Sequence, residues 1–202
     1  MAGVQNYIPM IGVDKLAYAK VTANTTSEYT AETPKMVPGL TEAGVNLNPQ
    51  TSTFYADNGA YDTATAMGEF DIAVACADVP PAMKADLFGY GYDSTTGLGS
   101  VSDINAPSVA ILYRMMKSNG AYRYIRIFSA KAVPNEEKAQ TKGGSINFQT
   151  NGFSLKGAKR LKDGLYYEML DDDDPSLPTG VTAALIAEKW FSSVSWEVAA
   201  GE

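Results

Sequence analysis

Two apolar segments joined by Asn119-Gly120 place the strongest constraint on how this chain can fold. Segments 108–118 and 121–133 each alternate in polarity, and Asn-Gly is the dipeptide that a two-residue hairpin turn favours. Long side chains occur on both faces of both segments. We therefore expect an antiparallel pair of strands with protein packed against both of its faces.

Other segments with period-two patterning lie between turn-forming residues and predict further strands. They span 14–22, 40–48, 53–57, 68–77, 144–150, 152–161 and 165–170, and a second Asn-Gly turn is expected at 151–152. Helical signals occur at 78–89 and at 179–191, where Thr179 is a candidate N-cap.

This succession of elements predicts a mainly β (α+β) fold, a β-sandwich or barrel with a flanking α-helix. The chain has 202 residues and is 45% hydrophobic, which suffices for one domain with a proper core. We expect a single domain over 1–202, with long loops at about 23–39 and 50–66 and a C-terminal helix and tail at about 179–202. The polar run at 58–67 is either a flexible loop or an extended hairpin tip.

The composition disfavours catalysis. The chain has no histidine, which removes Ser-His-Asp and Cys-His machinery and the commonest metal ligand. Its one cysteine, Cys76, lies on the apolar face of a predicted strand. No phosphate-binding glycine loop occurs. We expect a protein that is not an enzyme and that holds no cofactor and no metal.

Two groups of acids are candidates for chemistry. The four aspartates at 171–174 could bind calcium, but they lack the spacing of a calcium loop and are typical of a solvated loop. Glu69 and Asp71 share one strand face, as paired glycosidase carboxylates can, but alanines rather than aromatics follow them.

The N-terminal segment lacks a basic head followed by an apolar run, and no apolar stretch approaches the roughly 20 residues of a membrane span. We therefore expect synthesis in a reducing cytosol and no membrane span.

The charges of the chain are segregated along the sequence. Residues 42–113 carry nine acids and one base, residues 114–162 carry eleven bases and two acids, and residues 163–202 carry nine acids and one base. Acidic and basic strands could pair within one molecule. Alternatively, unlike patches could join neighbouring copies head to tail. Both interpretations remain open, whereas the acidic flanks argue against tight nucleic-acid binding.

The strand predicted at 68–77 has two different faces. Phe70, Ile72, Val74 and Cys76 form an apolar face that requires a core. Glu69, Asp71, Ala73 and Ala75 form a smooth acidic face. This second face suits either ordinary solvent or the wall of a channel that an anion crosses without adhering, because like charges repel.

The run TPKMVPGLTEAGVNLNPQTSTFYADNGAYDTATAMGEFDIAVACADVPPAMKADLFGY resembles the major tail proteins, or tail tube subunits, of long-tailed non-contractile bacteriophages. The shared order is a PGL turn, a strand, an FYADN segment, a loop, an acidic alternating strand and a short helix. The later LYRMMKSNGAYRYIRIFSAKAVPNEEKAQTK and AEKWFSSV are similar to the family's paired strands and closing helix. The likeness covers most of residues 14–194.

The resemblance implies a structural protein of the virion of a siphovirus, assembled in the host cytoplasm. It implies homo-hexameric rings that stack into a tube, together with a tape measure protein and tail terminator or tip proteins as partners. Viral DNA would pass through the lumen during genome ejection without specific binding. Carried over to this chain, the lumen would be lined by Glu69, Asp71, Ala73 and Ala75. Contacts between subunits or rings would involve Phe54, Tyr55, Asp57, Asn58, Tyr61, Arg123 and Arg126.

Two alternatives share the predicted fold class. A tube protein of a contractile tail or secretion system would have an outer face that binds a sheath. A carbohydrate-binding β-sandwich module would present exposed aromatics around a groove, with Tyr90 and Tyr92 as candidates.

Overall fold

A large antiparallel sheet forms the body of the protein. The computed structural model describes residues 7–102, 104–136, 141 and 150–198. Within these ranges the strands are β1 (Met10–Asn24), β2 (Tyr29–Ala31), β3 (Lys35–Val37), β4 (Leu40–Asn46), β5 (Gln50–Ala56), β6 (Gly59–Ala66), β7 (Phe70–Cys76), β8 (Gly91–Asp93), β9 (Leu98–Ser100), β10 (Ser108–Lys117), β11 (Tyr122–Val133), β12 (Asn151–Ala158) and β13 (Tyr167–Asp171). The helices are α1 (Pro81–Phe88) and α2 (Ala183–Lys189). The fold is mainly β, as predicted.

Nine of these strands belong to one sheet, whose order is β2-β1-β10-β11-β12-β7-β4. This order contains seven of the nine strands, and the other two join at the sides, since β3 pairs with β1 and β13 pairs with β11. Strand β11 is the point where the sheet divides: its first half pairs with β13 and its second half with β12, while β10 lies along its other edge. The strand pairs β5–β6 and β8–β9 form separate hairpins.

The β10–β11 hairpin is buried on both faces, which confirms the expectation from its sequence. Val109, Ile111 and Ile127 face a first core, and Leu112 and Phe128 face a second core on the opposite side of the sheet. A turn at Asn119-Gly120 closes the hairpin, and Gly120 has a φ of 86°. Glycine adopts this left-handed conformation without the steric cost of a Cβ.

The first core lies between the sheet and α1, and it contains the apolar face of β7. Phe70, Ile72, Val74 and Cys76 are all buried there. The ring of Phe70 lies over Gly157 of β12, where a Cβ would come within 2.2 Å of the ring. This aromatic packing therefore requires glycine at position 157. Fully burying one such aromatic side chain contributes about 1.5–3 kcal/mol.

The second core lies beneath α2 and the segment that follows it. Trp190 and Ile186 are buried against Tyr124 and Phe128 of the sheet. The helix begins later than predicted. Its N-cap is Thr182, whose Oγ1 accepts a hydrogen bond from the backbone N–H of Leu185 at 3.2 Å. The prediction of Thr179 as the cap is wrong, because a turn at 178–181 with Gly180 at φ 90° precedes the helix.

Three further sequence predictions need correction. The region 23–39 is not one loop, because β2 and β3 lie within it and pair with β1. The region 50–66 is not a long loop either: it is the β5–β6 hairpin, which agrees with the alternative of an extended hairpin tip. Asn151-Gly152 is not a turn: both residues lie in β12, where Gly152 pairs with Ala75 of β7. A Cβ at Gly152 would approach the carbonyl oxygen of Val74 to 2.9 Å, so close strand packing explains this glycine. The strand predicted at 144–150 lies almost wholly outside the described residues.

Asp86 of α1 ties the helix to two strands. Its carboxylate accepts a hydrogen bond from the Tyr18 hydroxyl at 2.9 Å and forms ion pairs with Lys20 at 2.5 Å and Lys35 at 2.6 Å. Partial burial by itself would raise the pKa of Asp86, but the two ammonium groups and the hydroxyl outweigh it and lower the pKa to about 2. The charged form is therefore the one that stabilises the fold.

We predict that Asp86→Asn lowers the free energy of unfolding at pH 7 by about 1–2 kcal/mol, because three donors lose a charged acceptor at a site with solvent access. The folded-state pKa is depressed, so this contribution is complete above the unfolded pKa of about 4 and disappears as pH falls through about 2. Urea unfolding of both proteins from pH 7 to pH 2 measures it. Asp62→Asn on the exposed β6 is the matched control, and an equal loss of stability in both variants would contradict the role of Asp86.

Candidate functional site

The outward face of β7 continues across both neighbouring strands. The residues opposite one another in register are Asp71, Ala73 and Ala75 of β7, Lys156, Ser154 and Gly152 of β12, and Asn46, Gly44 and Glu42 of β4. Directly opposed residues in an antiparallel pair point to the same side of the sheet. The centre of this face is therefore built only from alanine, glycine and serine, with charged and amide groups towards its ends. We call these nine residues the smooth face.

Charge on the smooth face is mixed rather than purely acidic. Asp71 forms an ion pair with Lys156 of β12 and accepts a hydrogen bond from Nδ2 of Asn48. The Lys156 ammonium group and the Asn48 amide together lower the pKa of Asp71. On β11, Lys131 lies opposite Lys156 and is exposed. Glu69 is also exposed and immediately precedes β7. The alternation of β7 alone could not reveal this compensation, because the cations lie on other strands.

The β5–β6 hairpin stands apart from the main sheet. Every residue of β6 is exposed, and β5 contains no buried residue. Within the described part of the chain, no strand other than β6 pairs with β5. An isolated two-stranded hairpin is only marginally stable in water. A hairpin of this length therefore gains little from its own molecule and presents two free faces and two free edges to a partner.

The two faces of this hairpin differ in chemistry. Thr51, Thr53, Thr63 and Thr65 form one face, on which Thr51 lies 3.1 Å from Thr65 between hydroxyl oxygens. On the other face, the rings of Phe54 and Tyr61 meet edge to face with their centroids 6.1 Å apart. A register shift between Phe54 and Tyr55 leaves Tyr61 without a partner in the pairing. The side chain of Tyr55 is also exposed.

The exposure of these aromatics is unusual for large apolar side chains. Phe54 is 64% exposed, Tyr55 is 70% exposed and Tyr61 is 74% exposed. Asp57 and Asn58 form the tip between the strands, with φ of 50° and 62°. Five of the residues predicted as contacts between subunits thus lie together on one projecting element. Exposed aromatic clusters of this kind mark interaction sites.

Arg123 and Arg126, predicted as interface residues, have partners within the molecule. Arg123 makes a bidentate ion pair with Asp171 at 2.6 and 2.7 Å. Arg126 is only 3% exposed: it donates to the carbonyl oxygen of Trp196 at 2.7 Å, pairs with Glu168 and packs against the ring of Trp190. The assignment of Arg126 to an interface is therefore wrong, because the C-terminal segment covers it.

Most of the described cations of the basic segment likewise form ion pairs within the molecule. Bidentate hydrogen bonds of 2.7 Å join Arg114 to Asp14, and Lys117 pairs with Asp171 and Asp173. Two acids of the run at 171–174 thus neutralise cations of the same molecule, and this part of the run is not the solvated loop that the sequence predicted. No group of three or more metal-ligating side chains occurs in the described residues.

Three described cations of the 114–162 segment form no ion pair with another described residue. They are Lys131, Lys159 and Lys162, and all three are exposed. Sequence patterning did not single them out, because the segment contains eleven bases and gives no sign of which ones pair. Only the contacts of the folded chain separate them from the rest.

Tyr90 and Tyr92, the candidates for a sugar site, do not form one aromatic platform. The ring of Tyr90 stacks on Phe88 with centroids 5.4 Å apart and is partly buried, whereas Tyr92 is exposed on β8. Among the described residues, no helix combines the length and the apolar character that crossing a membrane requires.

No protein-family model matches this chain, and no curated protein matches it in sequence. A solved structure of the tube terminating cap of an anti-feeding prophage, obtained by cryo-EM, is similar over 84% of this chain and 94% of that chain. The sequence identity is 12% and the TM-score is 0.42. This is a distant similarity of shape, and we infer no function for this chain from it.

We predict that the double variant Phe54→Ser/Tyr61→Ser changes the free energy of unfolding by less than about 0.5 kcal/mol, because both side chains lie outside the cores. The matched control is Phe153→Ala in the first core, which we expect to cost about 3–5 kcal/mol. Urea unfolding of dilute protein measures both. A loss above about 2 kcal/mol in the double variant would show that the hairpin packs on its own molecule.

Proposed function

We propose that this chain is a structural subunit of a non-contractile phage tail tube, assembled as stacked hexameric rings around a lumen that conducts viral DNA. The observation that carries the proposal is the projecting β5–β6 hairpin with its exposed Phe54, Tyr55 and Tyr61. No other described element covers these three rings, and we infer that a second chain buries them. The order of sequence motifs that resembles the tail tube family supports the same conclusion.

Assembly would change the energetics of the hairpin. Each exposed aromatic can bury roughly 150–250 Å² against a partner, and buried apolar area contributes roughly 25 cal/mol per Å². A contact of the hairpin of one copy with a different surface of the next is heterologous. Repetition of such a contact closes a ring or extends a filament. A tube of stacked rings needs one contact that closes each ring and a second contact that joins successive rings.

The smooth face is our candidate for the lumen wall. Its central positions carry no long side chain, so a passing polymer would meet few groups that could hold it. Pairing of Asp71 with Lys156 limits the attraction of the cation for phosphate, and the exposed Glu69 acts on the same lysine. In this proposal Glu69, Asp71, Ala73 and Ala75 line the pore, and none of them performs chemistry.

We expect concentrated protein to form rings or tubes with six-fold symmetry, visible by electron microscopy. By light scattering, the oligomer masses should be multiples of the mass of six subunits. The matched control replaces 50–66 with a short Gly-Ser linker, which should fold but stay monomeric because the hairpin adds nothing to either core. Protein that remains monomeric at every concentration, or rings of another symmetry, would refute the proposal.

The lumen assignment can be tested within those assemblies. We predict that Ala73→Cys, labelled with a maleimide-linked gold cluster before assembly, places the gold inside the pore. Ala73 lies between Gly44 and Ser154 on the adjacent strands, so a cysteine fits there. Ser94→Cys, in the exposed turn between β8 and β9, is the control and should not place gold in the pore. Gold on the outer surface of Ala73→Cys tubes would mean that the smooth face points outward.

A further inference from the structure

The unpaired cations of the basic segment do not lie at random. Two of the three, Lys159 and Lys162, lie in the turn at 159–165 between β12 and β13. Two exposed leucines lie in the same turn: Leu161 is 48% exposed and Leu165 is 39% exposed. An exposed leucine alone is ordinary, but a pair beside two unpaired lysines forms an apolar patch with a positive rim.

Contacts with the second core and with β1 hold this turn in place. The guanidinium carbon of Arg160 lies 3.7 Å from the ring centre of Phe128 in the second core, and its side chain pairs with Asp163. The backbone N–H of Arg160 donates to the carbonyl of Leu165 at 2.7 Å, and that of Leu161 donates to Asn24 at 2.9 Å. A fixed turn loses little conformational freedom when a partner binds it. We call Lys159, Leu161, Lys162 and Leu165 the basic turn.

The chemistry of the hairpin is complementary to that of the basic turn. The hairpin offers exposed aromatic rings, and Asp57 and Asp62 form no ion pair with any described residue. Residues 36–83 contain no lysine or arginine, so Asp57 and Asp62 are the only charged residues of the hairpin. Unlike charges across an interface set its register and its partner.

The basic turn of a given molecule cannot receive the tip of its own hairpin. Tyr166, the residue after the turn, donates a hydrogen bond to the carbonyl of Met67 at 2.9 Å, so the turn lies beside the root of the hairpin. The eight residues of β6 rise about 3.3 Å each, which places the tip about 25 Å away from that root. Only the hairpin of another copy can place its tip on the turn.

We propose that the acidic, aromatic tip of the β5–β6 hairpin docks on the basic turn of a neighbouring copy, with Asp57 and Asp62 facing Lys159 and Lys162 and the aromatic rings covering Leu161 and Leu165. This inference rests on the proposed function, because it names the surface that receives the hairpin in the assembly. The contact joins two different surfaces and is therefore head to tail.

A second apolar groove, of about 480 Å³ and lined by Met36, Pro38 and Met83 among others, fits the hairpin less well. The cation at its wall, Lys35, is already paired with Asp86, and Asp78 lines the same groove. Lys20 and Lys35 offset Asp86 and Asp78, so the rim of this groove has no net positive charge to attract an acidic hairpin. Charge thus favours the basic turn.

Disulfide trapping between two single variants tests the contact. Ala60→Cys at the hairpin and Lys159→Cys at the turn are mixed under mild oxidation, and we expect a covalent dimer that contains one of each. Lys159→Cys keeps both leucines and Lys162. The matched control pairs Ala60→Cys with Ser94→Cys in the exposed β8–β9 turn, where we expect at least about tenfold less cross-linked dimer. The native Cys76 is buried and is common to all samples.

Charge reversal distinguishes this specific contact from non-specific association of the hairpin. In the cross-linking assay, adding Asp57→Lys and Asp62→Lys to the Ala60→Cys partner should lower the yield about tenfold. Adding Lys162→Asp to the Lys159→Cys partner should restore most of the yield. A yield that depends on neither change would overturn the proposal.

Electron microscopy of the same samples distinguishes the two levels of failure. Rings or tubes that form while Ala60 and Lys159 do not cross-link would overturn the docking site and leave the proposed function standing. Absence of both assemblies and cross-links would refute the proposed function and the docking site with it. A further variant, Lys159→Asp/Lys162→Asp, is examined with added DNA. Normal rings that have lost the DNA binding of the unsubstituted protein would assign the basic turn to nucleic acid and overturn the contact between copies.

Discussion

The burial of β11 on both faces is the constraint on which the rest of the structure depends. This strand pairs with β10 along one edge and with both β12 and β13 along the other. Its two faces separate the two cores, one under α1 and one under α2. A strand buried on both faces needs mostly apolar side chains. Arg126, the buried one of the three charged residues of β11, is held by Glu168 and by the Trp196 carbonyl.

The segregated charges of the chain resolve mainly into pairs inside one molecule. Acids from the C-terminal part neutralise cations of β10 and β11, and Asp71 of β7 neutralises Lys156 of β12. Neighbouring strands bring together residues far apart in sequence, so charge blocks along the chain become cross-strand pairs in the sheet. Two acids on the hairpin and the two lysines of the basic turn are among the charges that form no ion pair with another described residue, as are Glu69 and Lys131.

The hairpin and the basic turn differ in chemistry from the smooth face. The smooth face has small side chains and a balanced charge, features that resist adhesion. The hairpin and the basic turn have exposed apolar groups and unlike charges, features that favour contact. A subunit that must bind its neighbours and yet leave a pore clear requires both kinds of surface. The proposed tube assigns one role to each.

The sequence by itself determined the local features: the β class, the hairpin at Asn119-Gly120 and the core face of β7. Each depends on period-two alternation or on a short turn, and such patterns are readable within about ten residues. Only the tertiary structure decided that Asn151-Gly152 lies within a strand, that Thr182 caps α2, that Arg126 is buried and that Lys156 offsets Asp71. Those outcomes depend on partners brought together by sheet pairing across many residues, and alternation within one strand carries no information about which strand will lie beside it.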